Sequence, residues 1–119
     1  MPLFSKRLEE YESVQTWLRG LREQWGTDPL EEDPKRLDVL RRFCEFVDKE
    51  PDTIVRECLL IKGGEKRISV KGRRLYSERI AEFQDTVAGD ARERARWGNT
   101  VRSFLIHNGV FLQSGLQRP

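Results

Sequence analysis

DARERARWGNTVRSFLIHNGV, residues Asp90 to Val110, is the stretch whose reading decides the fold. Asp90 followed three positions later by Glu93 has the spacing of a capping box, with Asp in place of the usual Ser or Thr, and starts a helix. At the other end Asn108-Gly109-Val110 fits a glycine C-cap in which Val110 folds back on Leu105. Advancing about 100° per residue, Trp97, Val101, Phe104 and Leu105 cluster on one side of this helix. Arg92, Arg96, Asn99 and Ser103 fall within roughly 60° of one another on the opposite side. Arg102 flanks that polar stripe, and Arg94 projects toward the apolar side, where it must snorkel or sit at a frayed first turn.

Upstream, the same periodicity recurs. Phe4, Leu8, Tyr11, Val14, Leu18, Leu21 and Trp25 are spaced by threes and fours, which predicts a first amphipathic helix of about six turns that Trp25-Gly26 ends. Thr27-Asp28-Pro29 is turn chemistry. Asp33 followed by Pro34 reads as an N-cap with proline at the first helical position, and Leu37, Leu40, Phe43, Cys44 and Val47 supply the stripe of a second helix. Asp52 is suited to cap a third, shorter helix through Ile54, Val55, Cys58 and Leu59, broken by Gly63-Gly64. Ile68 and Val70 alternate around Ser69, but a lone strand has no partner, so Lys62 to Arg74 reads as a loop. Leu75, Tyr76, Ile80, Phe83 and Val87 define a fourth helix ending at Gly89. The whole is an all-α bundle of four to five helices, with Trp17, Trp25, Trp97, Phe43 and Phe104 expected in its core.

The chain has 119 residues, of which 37% are apolar and 35% charged, so it is one small domain. No window approaches the roughly 18 apolar residues of a bilayer span, and the start has no signal-peptide pattern; a soluble, cytoplasmic protein is expected. Cys44 and Cys58 sit inside apolar helical patterns, and His107 is the one histidine, so neither a zinc site nor a disulfide scaffold is expected. His107 fits a last helical turn as a cation or dipole partner.

The near-neutral total hides an asymmetry. Residues 1 to 60 carry 10 basic and 14 acidic side chains, and residues 61 to 119 carry 12 basic and 6 acidic. An anionic partner is therefore expected on the second half.

The inventory of an enzyme is thin: there is no phosphate-binding glycine loop followed by Lys-Ser/Thr, no nucleophile elbow and no helical His-Glu-x-x-His. The polar stripe of the last helix is more informative. A solvated face intersperses Glu with Lys, whereas residues 92 to 103 hold four Arg and one Glu, which the cap explains. Arginine and asparagine have the forked donors and acceptors that match guanine and adenine edges in a major groove, and serine suits phosphate. The basic stretch with Lys66, Arg67, Lys71, Arg73 and Arg74 is a second candidate surface, and Lys35, Arg36 and Arg42 lie on the second helix.

Thr100-Val101-Arg102-Ser103-Phe104-Leu105-Ile106-His107-Asn108-Gly109-Val110 resembles the last helix of the core-binding domain of tyrosine recombinases and phage integrases. Leu40-Arg41-Arg42-Phe43-Cys44-Glu45-Phe46 is similar to that family's second helix, and Leu75 to Val87 has the apolar spacing of its third. The resemblance covers most of residues 5 to 112, without a catalytic signature. It implies a SAM-like domain over residues 1–112 that forms one half of a clamp around double-stranded DNA. By position, Lys35, Arg36, Arg42, Arg92, Arg96, Asn99, Arg102 and Ser103 would face the duplex. Strand exchange would be performed by a separate C-terminal domain, toward which residues 113–119 would serve as a linker. The segment Ile61 to Arg74 is longer than the family's interhelical turn, and Glu31 to Asp33 is acidic where the family has small hydroxylated residues. No cofactor, metal or membrane partner is implied; the domain alone would be monomeric and the parent recombinase oligomeric on DNA. The alternative reading is a helical protein-interaction module of the SAM or death-fold kind, its acidic half docking on a basic half.

Overall fold

The computed structural model describes residues 3–112, and the linker reading of residues 113–119 lies outside that range. A 3₁₀ turn at Leu8–Glu10 precedes α1 (Glu12–Trp25), α2 (Pro29–Glu32), α3 (Arg36–Val47) and α4 (Pro51–Glu57). A hairpin of β1 (Leu59–Lys62) and β2 (Glu65–Ile68) then leads into α5 (Val70–Asp85) and α6 (Ala91–His107). The fold is mostly helical with a small two-stranded sheet, so the all-α expectation holds for the bundle and misses the hairpin.

The last helix runs as its sequence dictates. Asp90 accepts the Glu93 N–H at 2.9 Å. Gly109 takes φ +90°, and the Val110 N–H donates to the Leu105 carbonyl at 2.9 Å while Gly109 donates to Ile106 at 3.0 Å. That pair of bonds is a Schellman motif, and Val110 is fully buried against the helix it closes. The core beneath it gathers Val14, Trp17, Leu40, Phe43, Cys44, Ile54, Ile80, Val101, Phe104 and Leu105, all without solvent exposure. Trp17 meets Phe104 edge to face at 5.6 Å, and Phe83 bridges Phe43 and Trp97 at 5.3 and 5.8 Å.

Several expectations are corrected. The first helix is not continuous: Tyr11 is extended at φ −74°, ψ 136°, because its buried ring donates its phenol proton to Glu50 and ties the chain start to α4. Asp52 does not cap its own helix; its Oδ1 accepts the Ser13 N–H at 3.0 Å and so caps α1 from a distance of 39 residues. Asp28 caps a one-turn helix, α2, where only a turn was expected. Asp33 still accepts the Lys35 N–H at 3.1 Å, but Pro34 stays outside α3. Trp25 ends α1 beside left-handed Gly26 and is 61% exposed, not part of the core.

The expected loop at Lys62 to Arg74 is the largest correction. The third helix stops at Glu57, and Leu59–Lys62 pairs antiparallel with Glu65–Ile68. Gly63 and Gly64, at φ +57° and +83°, make the two-residue turn that a tight hairpin requires. Ser69 then caps α5 by accepting the Gly72 N–H at 3.0 Å, so that helix begins five residues before Leu75.

Candidate nucleic-acid interface

α6 is polarised in three dimensions as it is in sequence. Val101, Phe104 and Leu105 are buried and Trp97 is half-buried, while Arg92, Arg96 and Asn99 are exposed on the other side. Arg92, Arg96, Asn99 and Ser103 line one groove of about 750 Å³, whose opposite wall is Glu32, Asp33 and Arg36. The beginning of α3 and the stripe of α6 are thus brought together.

The stripe is not uniformly free. Arg92 takes part in none of the ion pairs among the described residues, and Arg96 makes only a long one, 3.8 Å to Glu93. Arg102 Nη1 donates to Asn99 Oδ1 at 3.1 Å, and burial lowers the Arg102 pKa from the ordinary arginine value. Ser103 is drawn inward: its Oγ accepts the Trp17 indole N–H at 3.1 Å, which spends one of its lone pairs on the core. Arg94 snorkels as its position demands and donates to the Val87 carbonyl at 3.2 Å.

On α3 the expected contacts fare unevenly. Arg36 is turned away from a partner, its side chain 18% exposed, with Nη1 donating to the Pro29 carbonyl at 2.7 Å and Nη2 3.3 Å from Glu32. Lys35 is exposed at the start of the helix. Arg42 is held by Asp38 at 3.0 Å and lies over the Trp97 ring at 5.4 Å. The Trp97 indole N–H in turn donates to Glu93 at 3.1 Å, so Arg42, Trp97, Glu93 and Arg96 form one chain joining α3 to α6. Nothing local in the sequence links residues 42 and 97.

The second candidate surface divides in two. Lys66 lines a groove of about 540 Å³ between the hairpin, α1 and the end of α6, and Arg67 pairs with Glu65 at 3.3 Å on the hairpin's other face. Lys71 and Arg74 line a separate groove at the start of α5, beside Glu57 and Glu78, and Arg73, half-buried in the same turn of the helix, is not part of its lining. These five cations do not join the groove of Arg92 and Arg96.

His107 is corrected as well. Its ring packs on Gly20, where a Cβ would lie 2.5 Å from His107 Cδ2, and its Nδ1 donates to the Ser103 carbonyl at 3.1 Å. Burial lowers its pKa, so it is held neutral rather than favoured as a cation. Cys44 and Cys58 are buried free thiols whose pKa values burial pushes up to about 12.

No protein-family model matches the chain, and no curated protein or solved structure is significantly similar to it. No helix among the described residues is long and apolar enough to cross a membrane.

Proposed function

We propose that this domain binds double-stranded DNA through the exposed edge of α6, as the core-binding half of a site-specific recombinase of the tyrosine recombinase and integrase class. One observation carries the reading: Arg92, Arg96 and Asn99 stand exposed on the reverse of the face that buries Val101, Phe104 and Leu105. A rigid, core-anchored helix that presents arginines is what a groove or phosphate row takes. Arg92 and Arg96 are the phosphate or guanine contacts, with Arg42 and Arg102 flanking them. Asn99 reads a base edge only by sharing its Oδ1 with Arg102, whereas its amide N–H₂ is free to donate. Ser103 and Arg36 position the helix ends, because their polar groups are already engaged inside the domain. Strand cleavage would belong to another domain.

With about four phosphates neutralised, log K falls against log salt with a slope of about −3.6. Replacing Arg92, Arg96 and Arg102 together by Ala removes three of those contacts, so the slope flattens to about −0.9 and affinity drops for all sequences. Fluorescence anisotropy of a labelled duplex across a salt series measures both. An unchanged slope and affinity in the triple variant would remove α6 as the binding edge.

A further inference from the structure

We infer that the chain also carries a site for a second copy of itself: Trp25 of one copy seats in the groove beneath the hairpin of another. The two halves of this contact are complementary. Trp25 projects from the end of α1 at 61% exposure, in a run from Glu23 to Asp33 with five acids and no cation. Ile61, 73% exposed, is the most exposed large apolar side chain among the described residues, and it sits in the run Ile61 to Arg67 with three cations and one acid.

The groove under the hairpin suits an indole. Ile61 and Lys66 are cross-strand partners, so they share the hairpin face that overhangs it, and Val55 and Leu59 supply its apolar floor. Arg56 and Lys66 are placed to meet the acids that accompany Trp25, and Glu12, on the α1 wall, is an acceptor for the indole N–H. Asp52 also lines the groove, but its Oδ1 is engaged by the Ser13 N–H. The hairpin has only two strands of four residues and no third strand on either edge among the described residues, so its inner face gains from a covering group.

Geometry makes the contact intermolecular. The groove is walled by Glu12, Ser13 and Thr16 at the start of α1, whereas Trp25 is at its other end, about 20 Å along the axis. One chain cannot fill its own groove with its own Trp25. The surfaces are unlike, so the contact is heterologous, and a buried Trp is the side chain that most often anchors such an interface.

Sedimentation equilibrium of nuclease-treated protein over micromolar to millimolar concentrations tests this. The mass of the unaltered chain should rise with concentration, and Trp25→Ala should raise the dissociation constant about thirtyfold. Trp25→Asp and Ile61→Asp should each be monomeric alone, with unchanged circular dichroism because both positions are exposed. Mixed together they should associate again, since each retains the half that the other lacks. A monomeric unaltered chain, a Trp25→Asp variant that still associates, or a mixture that stays monomeric would each overturn the proposal. The Arg92/Arg96/Arg102 variant should associate like the unaltered chain, which keeps the outcome separate from DNA binding.

Discussion

Glycine 72 is where two opposed effects of known size meet. It lies in the first turn of α5, where Ala is intrinsically the better helix former by at most about 1 kcal/mol. A Cβ there, however, would stand 2.1 Å from the Glu57 carbonyl oxygen, 3.0 Å from its carbon and 3.1 Å from Cys58 Cα. These neighbours are backbone atoms, so no side chain can rotate aside, and relief requires α5 to move away from the end of α4 by about an ångström. That motion strains the Ser69 cap at 3.0 Å, the Ser69 N–H to Cys58 carbonyl bond at 2.8 Å, and the Tyr76 to Glu57 hydrogen bond. Overpacking of this kind costs roughly 1–3 kcal/mol and a weakened cap about 1 more, so Gly72→Ala is net destabilising by about 2 kcal/mol. In a domain of this size that lowers Tm by about 8 °C. Urea unfolding followed by circular dichroism, with the slope m unchanged, measures it. Gly98→Ala is the comparison: its Cβ would meet Gln84 Oε1 at 1.6 Å, Cδ at 2.4 Å and Cγ at 2.8 Å, all atoms of one side chain that can change rotamer where backbone cannot. Because Gln84 can repack, its stability should fall by less than that of Gly72→Ala. A Gly72→Ala protein as stable as the unaltered one would show that α4 and α5 do not approach as closely as described.

Asp52→Ala leaves the Ser13 N–H at the start of α1 without its acceptor, and should cost about 1 kcal/mol in urea unfolding, although position 52 belongs to another helix. His107 has a folded pKa below its ordinary value of 6.5, so the unfolded chain binds its proton first on acidification. Stability should therefore be full above about pH 6.5 and decline as pH falls through the folded pKa, and His107→Gln should flatten that part of the profile. Cys44 and Cys58, pushed up to about 12 by burial, should react with iodoacetamide at pH 8 no faster than the chain unfolds; rapid labelling of folded protein would contradict their placement.

What the sequence discloses is what local chemistry decides. Both ends of α6 follow from groups within three to five residues of each other, Asp90 with Glu93 and Val110 with Leu105, and its faces follow from period alone. The hairpin was half legible: Gly-Gly between two β-prone runs is a turn signal, but Leu59 also continues the helical stripe of Ile54, Val55 and Cys58. Strand pairing settles that ambiguity, and pairing is a property of two segments together. The same reason hides the fate of Ser103 and Arg36. Each sits on the expected helix face, yet one is engaged by an indole 86 residues away and the other by the carbonyl of a helix, α2, that the turn reading omitted. Trp25 fails for a simpler reason: period places it on the apolar side, but α1 ends there and no neighbouring element reaches over it.

The charge asymmetry has a structural counterpart at the helix starts. α1, α2, α3 and α4 each carry acid in the first turn, namely Glu12, Glu31 and Glu32, Asp38, and Asp52, as the helix dipole favours. α5 has none, and Lys71, Arg73 and Arg74 crowd its start; α6 has its cap Asp90 and Glu93, set among Arg92, Arg94 and Arg96. Cations at a helix N-terminus oppose the dipole by about 0.3–1 kcal/mol each. A chain shaped by stability alone would place acids there, as this one does four times. Asp90 and Glu93 offset part of that cost, while Arg92 takes part in none of the ion pairs among the described residues. An anion arriving at the start of α6 would relieve the dipole and the arginine repulsion together. If α6 is the binding edge proposed above, Arg92→Glu should raise Tm while weakening duplex binding.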